Sequence, residues 1–324
     1  MSKIVILGAG RMGRGIAQAY AAAGEVITLC DVKDRPPGDS ARVLAEAKAE
    51  IKNDLTFLAS IGLGSEVAVG AALERISFLS RSEAPAALAD ADIIFDGVPE
   101  TQAAKRALFQ WACQLARGNA VMSSTSSTMS VSDLAKMGTH PERFVSGHWL
   151  NPAMLMPLVE VARSSSTDQT AVDTLTTSLE HIGKHPVVMK DTPGYIVPRL
   201  QAMALNAAAR MAEEGVAAPE AIDKAVRMGF GDRYAILGLL EFIDFGGNDI
   251  LYYATDYLSK NLDANRFSSP PIVAENMKAG RNGIRDGKGI LDWEGVDIPA
   301  YRAQRLEAFV NLLSFLKLGP KMQR

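Results

Sequence analysis

A histidine, an asparagine and a glutamate stand in the apolar run SGHWLNPAMLMPLVEV, residues 146–161. A polar group buried without a partner costs free energy, so each of the three needs a hydrogen bond or a task. His148 belongs to the residue type that titrates nearest neutral pH, which makes it a candidate general base. Glu160 follows on a second extended run; if the two runs lie side by side, its carboxylate reaches the imidazole. There it would fix the tautomer, leave the other ring nitrogen free to take a proton, and stabilise the imidazolium. Residue types and spacing leave a second reading open, in which His148 is a satisfied core residue.

A base needs something to act on, and the N-terminus offers it. KIVILGAGRMGRGIAQAYAAAGEVITLCDVK passes from a β-branched run through Gly8-Ala9-Gly10 into an Ala-rich helical pattern, then into a second apolar run that ends at Asp31. Strand, glycine turn, helix and strand within about thirty residues make a βαβ unit. In this pattern Gly8 makes the tight turn, Gly10 lets backbone approach a pyrophosphate, and Gly13 lets the helix pack close to the strand. Arg11 and Met12 open the helix whose N–H groups face the phosphates. Asp31, at the end of the second strand, can accept from a ribose 2′-hydroxyl and would repel a 2′-phosphate, which favours NAD over NADP. Lys33 and Arg35 are basic side chains in the same neighbourhood.

These groups must be positioned by an α/β framework. DIIFDGVPE (92–100), NAVMSSTSS (119–127), RFVSGHW and LVEVARS read as further strands with helical patterns between, an N-terminal Rossmann-type doubly wound sheet. In an open α/β sheet the ligand lies outside the carboxyl ends of the strands, where Glu100, Ser126, Ser127 and His148 sit. The amphipathic stretch from Asp39 to about Gly64 is longer than a crossover needs, and is expected to project as a helical arm near the site. Its alternating charges read as a solvated face with i,i+4 pairs. From about Asp191 the alternation stops and helical patterns follow. The expected division is a nucleotide-binding domain over 1–190 and an all-α domain over 191–324. Clustered Leu239, Leu240, Phe242, Phe245, Tyr252 and Tyr253 point to a buried subunit interface in the latter.

Composition narrows the function classes. The chain has 324 residues, 48% hydrophobic and 22% charged, with a net charge of -3, the composition of a two-domain globular enzyme. Basic residues are interleaved with acidic ones, so nucleic acid is not an expected partner. Two separated cysteines read as reduced thiols, no run is long enough for a membrane span, and the four histidines form no metal-ligand spacing. A cytoplasmic protein without a metal is expected.

GAGRMGRGIAQ, SSTSS, GHWLNPAMLMPLVEV, KDTPGYIVPRL and GIRDGKGILDW occur in the order and spacing of the L-3-hydroxyacyl-CoA dehydrogenase family, which this chain resembles over nearly its whole length. The resemblance implies an NAD-dependent oxidation of a 3-hydroxyacyl compound and a homodimer formed through the helical domain. It also implies roles: His148 as the base, Glu160 as its partner carboxylate, Ser126 as the hydroxyl on the substrate oxygen, and Asn151 as an amide at the substrate. Glu100 and Lys105 fall where the family approaches the cofactor ribose and nicotinamide.

Two positions depart from the pattern. Pro198 replaces an asparagine amide, leaving Gln201 one turn along as a substitute, and Ser124 replaces an asparagine. Short-chain 3-hydroxyacyl-CoA is the leading expected substrate. A free hydroxy acid is the alternative, as in the L-gulonate 3-dehydrogenase and lambda-crystallin branch; it gains from Pro198 and from an arm with no net positive charge to meet coenzyme A phosphates. A non-catalytic NAD-binding protein is a third reading, against which the retained His148 and Glu160 speak.

Overall fold

Short apolar runs bounded by turn-formers build the central sheet, and longer periodic stretches build the helices around it. A computed structural model describes residues 2–319. The chain runs β1 (Ile4–Leu7), α1 (Arg11–Ala22), β2 (Ile27–Asp31), α2 (Pro37–Ser60), α3 (Glu66–Glu74), β3 (Ile76–Ser80), α4 (Ala84–Asp90) and β4 (Ile93–Asp96). It continues through α5 (Gln102–Leu115), β5 (Val121–Ser124), α6 (Val131–Ala135), β6 (Phe144–Trp149), β7 (Leu158–Arg163), α7 (Gln169–His181) and β8 (His185–Lys190).

The eight strands pair in the order β3-β2-β1-β4-β5-β6-β7-β8. All pairings are parallel except β6 with β7, which is antiparallel. Strands buried on both faces need no polar alternation, so β1 (IVIL) and the IIF of β4 are unbroken apolar runs. Alternate residues serve opposite layers. Ile4, Ile6, Leu29 and Phe95 pack with α1, α2, α3 and α7 through Ile16, Ile51, Val69 and Leu175. Val5, Leu7, Ile94 and Met122 pack with α4, α5 and α6 through Leu88, Phe109 and Leu134. The expected doubly wound sheet is present.

The expectation of a projecting arm is corrected. Leu44, Ala47, Ile51, Leu55 and Leu58 of α2 recur at helical spacing and are buried in the core beside α1 and β3. With that stripe covered, α2 is a layer of the fold, and Phe57 and Ile61 at its end are exposed. On its outer face Arg42 pairs with Glu46 at 2.8 Å, an i,i+4 bridge, while Glu50 reaches Arg14 of α1 at 2.5 Å.

Contacts divide the chain into one unit ending at Ala204 and another beginning at Leu205. Helix α8 (Val197–Glu213) runs through that boundary. The second unit is helical, with α9 (Pro219–Ala225), a π-helical turn over Val226–Gly231, α10 (Asp232–Tyr234), α11 (Leu239–Gly246), α12 (Asn248–Asn261), α13 (Ala264–Phe267), α14 (Pro271–Lys278) and α15 (Ile298–Phe315). Its organising group is Asp244, 1% exposed. That carboxylate accepts from the N–H groups of Ile290 and Leu291 at 2.9 and 2.7 Å and from Trp293 Nε1 at 2.9 Å. A Cβ on Gly289 would fall 2.1 Å from Asp244 Oδ1, which explains a glycine in the GKGILDW stretch. Among the described residues no helix is long and apolar enough to cross a membrane.

Candidate active site

Sheet order reverses between β1 and β4, and the crevice at the carboxyl ends of these strands is where such sheets hold ligands. A cavity of about 1060 Å³ lies there. Its walls include Gly8, Gly10, Arg11, Met12, Asp31, Glu100, Lys105, His148 and Asn151 of the expected site. Gly13, Ser126 and Glu160 stand behind the wall rather than on it.

The glycine turn is built as its spacing demands. Gly8 has φ of +123°, and a Cβ there would meet Gly97 O at 2.7 Å; a Cβ on Gly13 would fall 1.9 Å from Gly8 O. Gly10 differs: the nearest atom to its hypothetical Cβ is 3.8 Å away, so the protein's own packing does not demand glycine there. The open space lies on the cavity side, at the N-cap of α1, which has no side-chain cap. Backbone N–H groups at an uncapped helix start suit a phosphate.

Asp31 stands at the end of β2, 4% exposed. Its Oδ2 accepts from Arg35 Nε and Ser40 Oγ, both at 3.0 Å. Arg35 therefore serves the carboxylate, a partnership that residue order alone did not reveal. Lys33, Arg35 and Arg81 line the same end of the cavity, and the Arg81 guanidinium lies 4.1 Å from the centre of the Trp111 ring.

At the other end, β6 and β7 pair antiparallel with His148 opposite Glu160. His148 Nδ1 lies 2.8 Å from Glu160 Oε2. A carboxylate is an acceptor, so Nδ1 carries the hydrogen and Nε2 keeps its lone pair. Glu160 is fully buried, and its second oxygen accepts from the N–H groups of Ile196 and Val197 at 2.9 and 2.8 Å. Those donors begin α8, whose positive end favours a carboxylate. One side chain thus holds both the imidazole and a helix start. Tyr195 completes the setting: its ring stacks on His148 with centroids 5.1 Å apart, and its hydroxyl meets Ser146 Oγ at 2.8 Å and donates to Ser126 O at 3.0 Å. Burial pushes the Tyr195 phenol up to about 12. Nothing in the PGYIVPR spacing marks a tyrosine as a neighbour of a histidine 47 positions earlier; only packing does.

Between the two ends lies the serine loop. Ser126 is buried and donates its hydroxyl proton to Glu100 Oε1 at 2.6 Å, while Ser127 and Thr128 offer both backbone and hydroxyl donors to the same carboxylate. Burial of Glu100 works the other way, yet the hydroxyls of Ser126 and Thr128 and the N–H groups of Ser127 and Thr128 outweigh it and hold its carboxyl at about 2. Lys105, 1% exposed, donates to Asp96 Oδ2 at 2.6 Å, and Ser124 donates to the same oxygen at 2.9 Å. Asp96 was not singled out from the sequence, although it ends the DIIFD strand. Asn151 and Pro198 both line the cavity, and Gln201 lies there with them.

A glycine turn at an uncapped helix start, a carboxylate at the end of the second strand and a carboxylate-backed imidazole on one cavity define a nicotinamide-dependent oxidoreductase. Comparison with known proteins agrees. Residues 3–192 match 3-hydroxyacyl-CoA dehydrogenase, NAD binding domain, and residues 194–293 match 3-hydroxyacyl-CoA dehydrogenase, C-terminal domain. The chain belongs to the 3-hydroxyacyl-CoA dehydrogenase family. It is 32% identical over 295 residues, 91% of its length and 96% of the relative's, to 3-hydroxybutyryl-CoA dehydrogenase of Bradyrhizobium diazoefficiens. A Mesorhizobium japonicum relative, 5-formyl-3-hydroxy-2-methylpyridine 4-carboxylate 5-dehydrogenase, is 28% identical over 315 residues, 97% of this chain and 98% of that one. The crystal structure of a 3-hydroxyacyl-CoA dehydrogenase from Archaeoglobus fulgidus superposes with a TM-score of 0.79 at 33% identity, covering 98% of this chain and 100% of that one.

Proposed function

We propose that this chain oxidises the 3-hydroxyl of a short-chain L-3-hydroxyacyl-CoA to the 3-oxo compound, reversibly, with NAD as the partner. The observation that carries this is the 2.8 Å contact of His148 with Glu160 on the same cavity as the glycine turn. NAD, when bound over Gly8 and Gly10, supplies the acceptor for the hydride that leaves C3. Asp31 would accept from the adenosine ribose hydroxyls, the N–H groups of Arg11 and Met12 would hold the pyrophosphate, and Glu100 and Lys105 would serve the nicotinamide ribose.

His148 Nε2 takes the proton of the 3-hydroxyl, and Glu160 stabilises the imidazolium through Nδ1–H. Asn151 orients the substrate oxygen, while Ser126, expected there but fully buried behind the cavity wall, acts on the site through the Glu100 carboxylate that its hydroxyl holds. The division of labour is a nucleotide domain over 1–190 and a helical substrate and dimer domain over 191–324. A homodimer is supported by exposed Leu240, Ile250, Tyr253 and Tyr257 on α11 and α12. The free thiols Cys30 and Cys113 accord with a reducing cytoplasm.

A free hydroxy acid is the second reading. It is favoured by Pro198 on the cavity wall, which has no amide to offer, and by the Mesorhizobium relative, whose name places a free carboxylate in its substrate. Absorbance of reduced nicotinamide, followed with L-3-hydroxybutyryl-CoA, L-gulonate and 5-formyl-3-hydroxy-2-methylpyridine 4-carboxylate at equal concentration, decides between them. The thioester is expected to give a kcat/KM at least about tenfold above either acid, the effect of about 1.4 kcal/mol in transition-state binding. Turnover of an acid alone would replace the first reading by the second.

A further inference from the structure

Lys184 is buried, 7% exposed, and takes no part in the proton or cofactor chemistry. Among the described residues the other buried lysine, Lys105, is paired with Asp96; Lys184 instead faces backbone. It follows the left-handed Gly183 that ends α7, and its own N–H closes that end on Leu179 O at 3.0 Å. This places its ammonium beneath the segment joining β6 to β7. Nζ donates to the carbonyls of Ala153 at 2.8 Å, Met154 at 3.1 Å and Met156 at 2.9 Å, and lies 5.6 Å from the centre of the Trp149 ring. An ammonium has three donors, and all three are used. Desolvation lowers the Lys184 pKa, as expected where carbonyl dipoles and an aromatic face replace water.

Besides this grip the segment is held by the burial of Ala153 and Met154 against the core and by a few hydrogen bonds of its own. Within it, Leu155 and Met156 donate to Pro152 O, both at 3.0 Å. On its far side Ala153 packs against α1 at Gly15, where an added Cβ would stand 3.0 Å from that of Ala153. Leu150 and Asn151, at the start of the same segment, line the cavity directly after His148 and Trp149.

We propose that Lys184 is a positioning residue: its ammonium gathers the carbonyls of Ala153, Met154 and Met156 and so holds Leu150 and Asn151 at the substrate end of the cavity. The naming of that end rests on the proposed function, whereas the clamp itself does not. Turnover should therefore depend on Lys184 and dinucleotide binding should not.

Lys184→Met keeps the aliphatic length and removes the three donors, leaving three carbonyls converging on an apolar tip. Two measurements on the full chain test it. Amide hydrogen exchange over residues 150–157 should rise by about tenfold while β6, β7 and α1 keep wild-type protection. The Kd for NAD should stay within about twofold while kcat/KM for the best substrate falls by about 30-fold, the scale of a small misplacement in a reacting pocket. Unchanged exchange in 150–157, or NAD affinity falling in step with turnover, would overturn the proposal. If Lys184→Met does not fold, Lys184→Gln decides on the same two readouts, since it folds the segment back with an amide donor and should fall between wild type and the expected methionine values; a glutamine variant identical to wild type in both would count against the clamp. Should the wild-type enzyme turn over none of the substrates, the proposed function fails, while the exchange experiment still judges Lys184.

Discussion

The two ends of the cavity are made of different material. At the dinucleotide end the protein presents backbone: the Gly8–Gly10 turn and the start of α1, with one carboxylate, Asp31, tied to Arg35 and Ser40. At the other end it presents a side chain held by others: His148 is backed by Glu160, itself fixed by backbone N–H groups at the start of α8, and the imidazole face is covered by Tyr195. Backbone donors come with the helix and need only room, so this end is governed by what is missing from a side chain. A base needs a fixed tautomer and a stabilised conjugate acid, so the other end is governed by what each side chain holds.

This contrast can be broken. His148→Gln should cut turnover by about 100-fold or more, as for loss of a positioned general base, with the Kd for NAD nearly unchanged; quenching of tryptophan fluorescence by added NAD, beside steady-state rates, measures both, and parallel losses would merge the two ends into one.

Gly10→Ala tests the converse. With 3.8 Å of clearance the variant should fold with wild-type Tm, yet bind NAD about tenfold more weakly because the Cβ occupies the phosphate approach. Gly13→Ala, with its Cβ 1.9 Å from Gly8 O, should instead lower Tm. Equal thermal stability of the two variants would contradict the distinction drawn between these glycines.

Asp31→Ala should lower the preference for NAD over NADP by about tenfold, the worth of one hydrogen bond to a charged group. The substitution also releases Arg35 toward a 2′-phosphate. Ratios of kcat/KM for the two cofactors give the answer, and an unchanged ratio would take Asp31 off the ribose.

The smallest effect concerns the loop between the ends. Glu100 has an ordinary value near 4.5 and a folded value of about 2, so its contribution to stability is present above about pH 4.5 and is lost as pH falls through about 2. Urea unfolding across that window should show a shallower fall for Glu100→Gln than for the wild type; identical slopes would mean that the serine loop does not hold this carboxylate in solution.

Much of the site could be read before folding because its signals are local. The glycine turn, its helix and Asp31 lie within one βαβ unit, and the strands ending near Glu100 and His148 are marked by runs of apolar residues. Even the pairing of His148 with Glu160 was conditional on a single adjacency, that of β6 with β7. The features that stayed hidden join distant positions. Lys105 meets Asp96, and Tyr195, which follows β7 and β8 in the chain, covers His148. The same holds for Lys184, which grips carbonyls about thirty residues earlier in the chain. The helix 37–60 departs from expectation for a related cause: its apolar stripe is visible in the sequence, but whether a stripe meets a core or water depends on what packs beside it.

Periodicity, turn residues and composition therefore marked the layers, the glycine turn and the candidate base, because each reflects the chemistry of neighbours along the chain. Folding chose the partners: which carboxylate each cation faces, which ring lies on the imidazole, and which carbonyls share one ammonium. Such contacts form only when segments far apart in the chain are brought together, and the geometry of the packed sheet, not residue order, selects among the many polar groups that could have met.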